Sequence, residues 1–157
     1  MIQELNDQLK RSRTKFALAV TGAAMTGATD FFRGTGASSF IEAIEIPYGN
    51  HAWERLCGRE TVSMLGPKVS MKGAEALAIA IANKYDCDIG IGVSGKLIVP
   101  NEREGRENVV YYAAFYNDEL MSGLRDHYEL ILPPGTREEQ EALASKTLHD
   151  FMLRNLT

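Results

Sequence analysis

Residues 16 to 32, FALAVTGAAMTGATDFF, constrain this chain more than any other stretch. The apolar run Phe16 to Val20 suits a strand buried on both faces, and such strands sit in sheets covered by helices on both sides. Thr21, Gly22, Ala23 and Ala24 then form a turn of small residues, and Thr26 to Arg33 read as a helix that stops at the Gly34-Thr35-Gly36 run. A buried strand that feeds a helix through a tight turn is the opening unit of an α/β domain. Turns of this kind cradle a phosphate, present a nucleophile, or only reverse the chain.

The rest of the chain repeats the alternation. Ile2, Leu5 and Leu9 recur at helical spacing and predict an amphipathic helix over 2–13. SSFIEAIEIPYG (38–49) predicts a strand near a sheet edge, with Phe40, Ile44 and Ile46 on one face, Glu42 interrupting it and Pro47 ending the ladder. HAWERLCG (51–58) reads as a helix ending at Gly58, followed by a turn-rich piece. Ser70 is placed to cap a helix whose stripe of Ala74, Leu77, Ala78, Ile81 and Tyr85 is small enough for a sheet to approach closely. CDIGIGVSG (87–95) is a strand with alternate glycines, KLIVPNEREGR (96–106) an exposed loop, and ENVVYYAAFYN and RDHYELILP are two further strands. A long helix from Arg137 to Leu156 closes the chain, with Leu143, Thr147 and Phe151 on one line and Ala144, Leu148 and Met152 beside it. This order predicts a three-layer α/β/α fold with a mixed sheet, in a single domain made of an N-terminal helix (1–14) and a core (15–157).

Bulk properties exclude several classes. A formal net charge of -4 gives no cationic field for a nucleic-acid partner, and the one basic cluster, RSRTK at 11–15, reads as a solvated helix end. No apolar run is long enough for a membrane span, and the charged N-terminus MIQELNDQLK is no secretory signal. Cys57 and Cys87 stand in no metal-ligand spacing and read as free thiols of a reducing compartment. The expectation is a cytoplasmic protein without metal or cofactor, taking a small-molecule ligand and associating with copies of itself. The small-residue helix and Trp53 are the candidate self-association surface.

Two phosphate-binding readings of the turn fail on particular residues. A Thr-Gly-x-x-x-Gly dinucleotide turn needs glycine at position 26, where Thr26 stands, and its Tyr-x-x-x-Lys partner needs lysine at 52, where Ala52 stands. Gly22 to Gly27 satisfies the Gly-x-x-x-x-Gly of a P-loop, but the lysine that reaches the β/γ-phosphates is Ala28.

A third reading rests on several stretches in order: Ala19 to Met25 after the first strand, Gly36-Ala37-Ser38-Ser39 leading to Tyr48-Gly49-Asn50, Lys68-Val69-Ser70, Ile91 to Gly95, and Gly135-Thr136-Arg137. From Phe16 to Leu156 this sequence of signposts resembles the CinA C-terminal domain, the family of bacterial nicotinamide mononucleotide deamidases. The family carries Ala-Glu-Ser-Cys-Thr-Gly-Gly in the turn, Tyr-Ser-Asn after the edge strand, Ala-Val-Ser before the small-residue helix, Thr-Gly-Ile-Ala-Gly in the third strand and Gly-Asp-Arg before the last helix. The resemblance implies hydrolysis of a carboxamide on a pyridine mononucleotide by a Ser/Lys mechanism, with release of ammonia.

Such chemistry needs a hydroxyl nucleophile, a base and oxyanion donors. Thr21 stands at the family's serine, Tyr48 and Asn50 keep its tyrosine and asparagine, and Trp53 replaces its lysine. Ala24 and Met25 replace the paired glycines, and Glu141 stands at a second arginine of the last helix. The resemblance thus implies a pocket of Thr21, Gly22, Ala23, Tyr48, Asn50, Ser94 and Gly95, with Arg137 on a phosphate. The expectation is a non-catalytic or altered-specificity relative that binds a mononucleotide. The alternative is an amidohydrolase with Thr21 as nucleophile, Tyr48 beside it and His51 as base. Each residue also has a plainer role: Thr21 as a turn or capping hydroxyl, Tyr48 as a cover for the sheet end, Trp53 as core, His51 as a surface residue. His127 and His149 fall in a strand and in the last helix, with nothing to tie them to the turn.

Overall fold

A computed structural model describes residues 1–98 and 107–156 of the chain. Six helices and five strands follow one another as α1 (Ile2–Ser12), β1 (Phe16–Thr21), α2 (Met25–Asp30), β2 (Ile41–Glu45), α3 (Asn50–Cys57), α4 (Arg59–Met64), α5 (Met71–Tyr85), β3 (Ile89–Gly95), β4 (Val109–Tyr116), β5 (Gly123–Ile131) and α6 (Arg137–Arg154). The strands form one mixed sheet in the order β2-β1-β3-β4-β5. The first three run parallel, and β4 and β5 continue antiparallel. Helices cover both faces, giving the α/β/α layering expected from the alternation of elements.

β1 explains the layering. Every residue from Phe16 to Thr21 is buried, and a strand directs alternate side chains to opposite faces. Phe16, Leu18 and Val20 join Leu9 of α1, Ala28 of α2 and Leu148 and Phe151 of α6 on one side. Ala17 and Ala19 join Trp53 of α3 and Leu77 and Ile81 of α5 on the other. The small-residue stripe of α5 lies directly on β3: a Cβ at Gly92 would come within 2.0 Å of the Ala74 carbonyl oxygen. Only glycine allows that approach. Ser70 caps α5 as expected, its hydroxyl accepting from the Gly73 amide at 3.0 Å.

α1 packs into the same layer as α2. Leu9 is fully buried, and Asn6 donates to the carbonyls of Phe31 at 2.8 Å and Thr35 at 3.1 Å. Arg11 and Arg13 stand exposed at its C-terminal end, where positive charge suits the helix dipole.

Several expectations need correction. β2 is an edge strand but shorter than the alternation suggested: Ser38 and Ser39 lie in a 3₁₀ turn and Ile46 is exposed. The turn-rich piece after Gly58 contains α4. The candidate self-association surface is spent within the chain, since Trp53 is 2% exposed and the stripe of α5 is covered by the sheet. Most of the loop expected over 96–106 lies outside the described residues. Among the described residues no helix is long and apolar enough to cross a membrane.

Candidate ligand-binding site

The sheet order fixes where a ligand is to be sought. From β1 the chain crosses to β2 on one side and later to β3 on the other, so the strand order switches direction between β1 and β3. Open α/β sheets bind ligands beyond the carboxyl ends of their strands at such a point. Thr21 ends β1 and is the register partner of Ser94, one residue before the end of β3, and a cavity of about 570 Å³ opens there.

The β1–α2 turn forms one wall. Gly22 has a φ of +80°, and a Cβ on it would lie 1.7 Å from the Gly95 carbonyl oxygen, so no other residue fits. Thr21 lines the cavity and its hydroxyl makes no hydrogen bond among the described residues. It does not cap α2, whose N-cap is Ala24. Ala23 is fully buried behind the turn and does not line the cavity.

Ala24 adopts the left-handed conformation at φ 62°, which costs about 1–2 kcal/mol for a residue with a Cβ. The offset comes from α6. Glu141 accepts from the Ala24 amide at 2.6 Å, from the Thr26 amide at 3.1 Å and from the Thr26 hydroxyl at 3.0 Å. One and two turns further along α6, Ser145 Oγ accepts from the Gly27 amide at 2.9 Å and the His149 ring meets the Gly27 carbonyl at 2.8 Å. His149, which nothing in the sequence tied to the turn, therefore braces it from behind. Two backbone donors that a free turn would offer an anion, the Ala24 and Thr26 amides, are taken by a protein carboxylate.

The opposite wall comes from α3 and the loop before α5. Trp53 packs on Ala17, Ala19, Leu77 and Ile81 and shows one side to the cavity without filling it. Tyr48 lines the mouth and is 80% exposed. Ser94 is fully buried and donates to the Lys68 carbonyl at 2.6 Å, pinning that loop to β3. Arg137 opens α6 and donates to the Leu97 carbonyl at 2.9 Å.

Asn50 and His51 stand apart. Asn50 borders a neighbouring cleft of about 550 Å³, where it donates to Glu54 at 3.0 Å and accepts from Lys68 Nζ at 2.5 Å. His51, the proposed base, lines neither cleft; its side chain is 96% exposed and stands 4.0 Å from Glu54. The reason is helical geometry: successive residues turn by about 100°, so burying Trp53 directs position 51 outward.

Two residues that sequence reasoning passed over complete the site. Lys68 appeared only within the Lys68-Val69-Ser70 signpost and Lys96 only as the start of a loop, yet both line the cavity. The described lining holds Lys68, Lys96 and Arg137 and no Asp, Glu, His or Cys. Neither cysteine contributes: burial pushes the Cys57 and Cys87 thiols up to about 11, which leaves them weak nucleophiles.

No family model matches the sequence, and no curated protein sequence matches it. Solved structures do. The competence/damage inducible protein CihA from Agrobacterium tumefaciens superposes with a TM-score of 0.79 at 17% identity, over 98% of this chain and 94% of its own. A competence-damaged protein (CinA) superfamily protein from Enterobacter cloacae gives 0.78 at 15%, over 100% and 93%. Another from Klebsiella pneumoniae gives 0.79 at 15%, over 99% and 98%. The fold of this chain is that of the CinA superfamily.

Proposed function

We propose that this chain uses a CinA-like fold to bind a pyridine mononucleotide, in the cavity between Thr21 and Trp53, without carrying out the Ser/Lys amide hydrolysis that its resemblance to the deamidases implies. The observation that carries this reading is Trp53. It stands where the resemblance puts the family lysine, lies buried in the α3–β1–α5 core, and offers one N–H donor and no acceptor for a proton. A hydroxyl nucleophile gains its reactivity from an adjacent base. The described lining supplies Thr21 with no carboxylate, imidazole or thiol, and His51 does not line the cavity. Its two amines make no hydrogen bond to Thr21 among the described residues, the Lys68 ammonium donating to Asn50 instead.

The remaining parts suit binding. Trp53 and Tyr48 offer aromatic surface for a flat ring, Ser94 and Gly95 close the β3 side, and Arg137 supplies positive charge at the rim. The alternative, an amidohydrolase with Thr21 as nucleophile, has one observation in its favour: Thr21 lines the cavity with its hydroxyl unengaged among the described residues.

Purified protein incubated with nicotinamide mononucleotide separates the two. The proposal predicts a raised Tm, because a bound ligand stabilises the native state by mass action, and no ammonia above buffer. Ammonia release that disappears in Thr21→Ala would establish the alternative. A Tm unmoved by the nucleotide would remove the mononucleotide.

A further inference from the structure

We infer that an anionic group of the ligand is held by the side-chain cations Lys68 and Lys96, with Arg137, and not by the backbone of the β1–α2 turn. The ligand class is a small molecule with a flat aromatic body and a phosphate-like anion. The inference rests on the mononucleotide reading for the identity of the aromatic body, but not for the cations.

Three features carry it. Two amides of the turn are closed to anions, since the Glu141 carboxylate already accepts from Ala24 and Thr26. A second anion placed there would meet like charge at short range. Next, Lys68, Lys96 and Arg137 reach one concavity from three separate places: the loop before α5, the end of β3 and the start of α6. None of the three forms an ion pair among the described residues. Cations gathered in a cleft with low-dielectric walls concentrate anions there.

Placement is the third feature. Ser94 ties the Lys68 backbone to β3, and Asn50 holds the Lys68 ammonium at 2.5 Å while its own amide donates to Glu54. Asn50 is thereby a positioning residue, which holds Lys68 from the neighbouring cleft that Lys68 also lines. Arg137 spends one N–H on the Leu97 carbonyl and keeps the rest of its fork. Met25, Trp53, Val69 and Leu97 supply apolar wall beside these charges. A lining of that composition fits an amphipathic anion and disfavours a polyamine or a free divalent cation.

Trp53 is the single tryptophan of the chain, so its fluorescence reports occupancy directly. The test titrates wild type, the double variant Lys68→Ala/Lys96→Ala, and Lys68→Arg/Lys96→Arg with nicotinamide mononucleotide, nicotinamide riboside and inorganic pyrophosphate. Both lysine side chains are at least partly exposed, and circular dichroism verifies that the variants fold. The inference predicts that the nucleotide binds wild type at least tenfold more tightly than the riboside. The alanine pair should lose at least tenfold for the nucleotide and none for the riboside, and the arginine pair should keep most of the affinity. Equal nucleotide affinity in wild type and the alanine pair would overturn the inference and leave the mononucleotide reading standing. If neither nucleotide nor riboside alters the emission, the mononucleotide reading falls and pyrophosphate decides: saturable, lysine-dependent binding upholds the anion site, and its absence overturns it.

Discussion

The N-termini of α2 and α6 belong to neighbouring helices and are closed in different ways. α6 closes its own end: the Thr136 hydroxyl accepts from the Glu139 amide at 3.1 Å, and the Glu139 carboxylate accepts from the Thr136 amide at 3.2 Å. α2 has no side-chain cap of its own and begins on a left-handed alanine. Its donors are met by Glu141 and Ser145, which reach it only once the chain has folded. A local cap steadies a helix. A remote cap also decides what the turn is available for, and here it withdraws the Ala24 and Thr26 amides from anion binding.

Removing the remote cap should have the largest effect. Glu141→Ala leaves two backbone amides without their carboxylate and a strained Ala24 without its restraint, and hydrogen bonds to charged groups are worth about 1.5–3 kcal/mol. We expect a loss of about 2–3 kcal/mol in urea unfolding, together with a changed Trp53 emission as the cavity wall relaxes. A loss below about 0.5 kcal/mol would show that the turn holds its shape unaided.

Removing a local cap should cost less and stay local. Thr136→Ala and Ser70→Ala are each expected to cost about 1 kcal/mol. For Thr136→Ala, the Trp53 emission should not change. An equal response from Thr136→Ala and Glu141→Ala would erase the distinction between the two ends.

The smallest effect belongs to acid. At the far end of α6, burial acts to raise the Asp126 pKa, but hydrogen bonds from Arg154 and Asn155 outweigh it and hold the carboxyl below its usual range. Glu139 is held low by the backbone and side chain of Thr136. A depressed folded pKa contributes stability above the unfolded value, and that contribution is lost as pH falls through the folded value. Stability should therefore decline below about pH 4, and less steeply in Asp126→Asn. The Arg154 side chain is 48% exposed, which limits the pair to under about 1 kcal/mol. An acid limb identical in wild type and Asp126→Asn would remove this pair from the account.

Much of the fold could be read from the chain because its signals are local or periodic. The buried run Phe16 to Val20, the Ser70 cap and the small stripe facing Gly90 and Gly92 each lie within one short window. α4 escaped notice because it is one short helix flanked by Gly58, Gly66 and Pro67, residues that ordinarily mark turns. The site was legible only in part. The resemblance groups Thr21, Gly22, Ser94 and Gly95, and the fold brings them together because β1 and β3 run side by side and end at the same edge of the sheet. Lys68 and Lys96 carry no periodic signature, because a cation acquires its role from the walls around it. Glu141 was visible as a reversed charge, but its bond to the turn joins residues 117 apart in sequence.

The most direct measurement is a crystal structure with nicotinamide mononucleotide bound. The account predicts an intact amide in the cavity, the aromatic ring beside Trp53, the phosphate on Lys68 and Lys96, and Glu141 still on the amides of Ala24 and Thr26. A phosphate seated on those amides with Glu141 displaced, or a hydrolysed ligand beside Thr21, would contradict it.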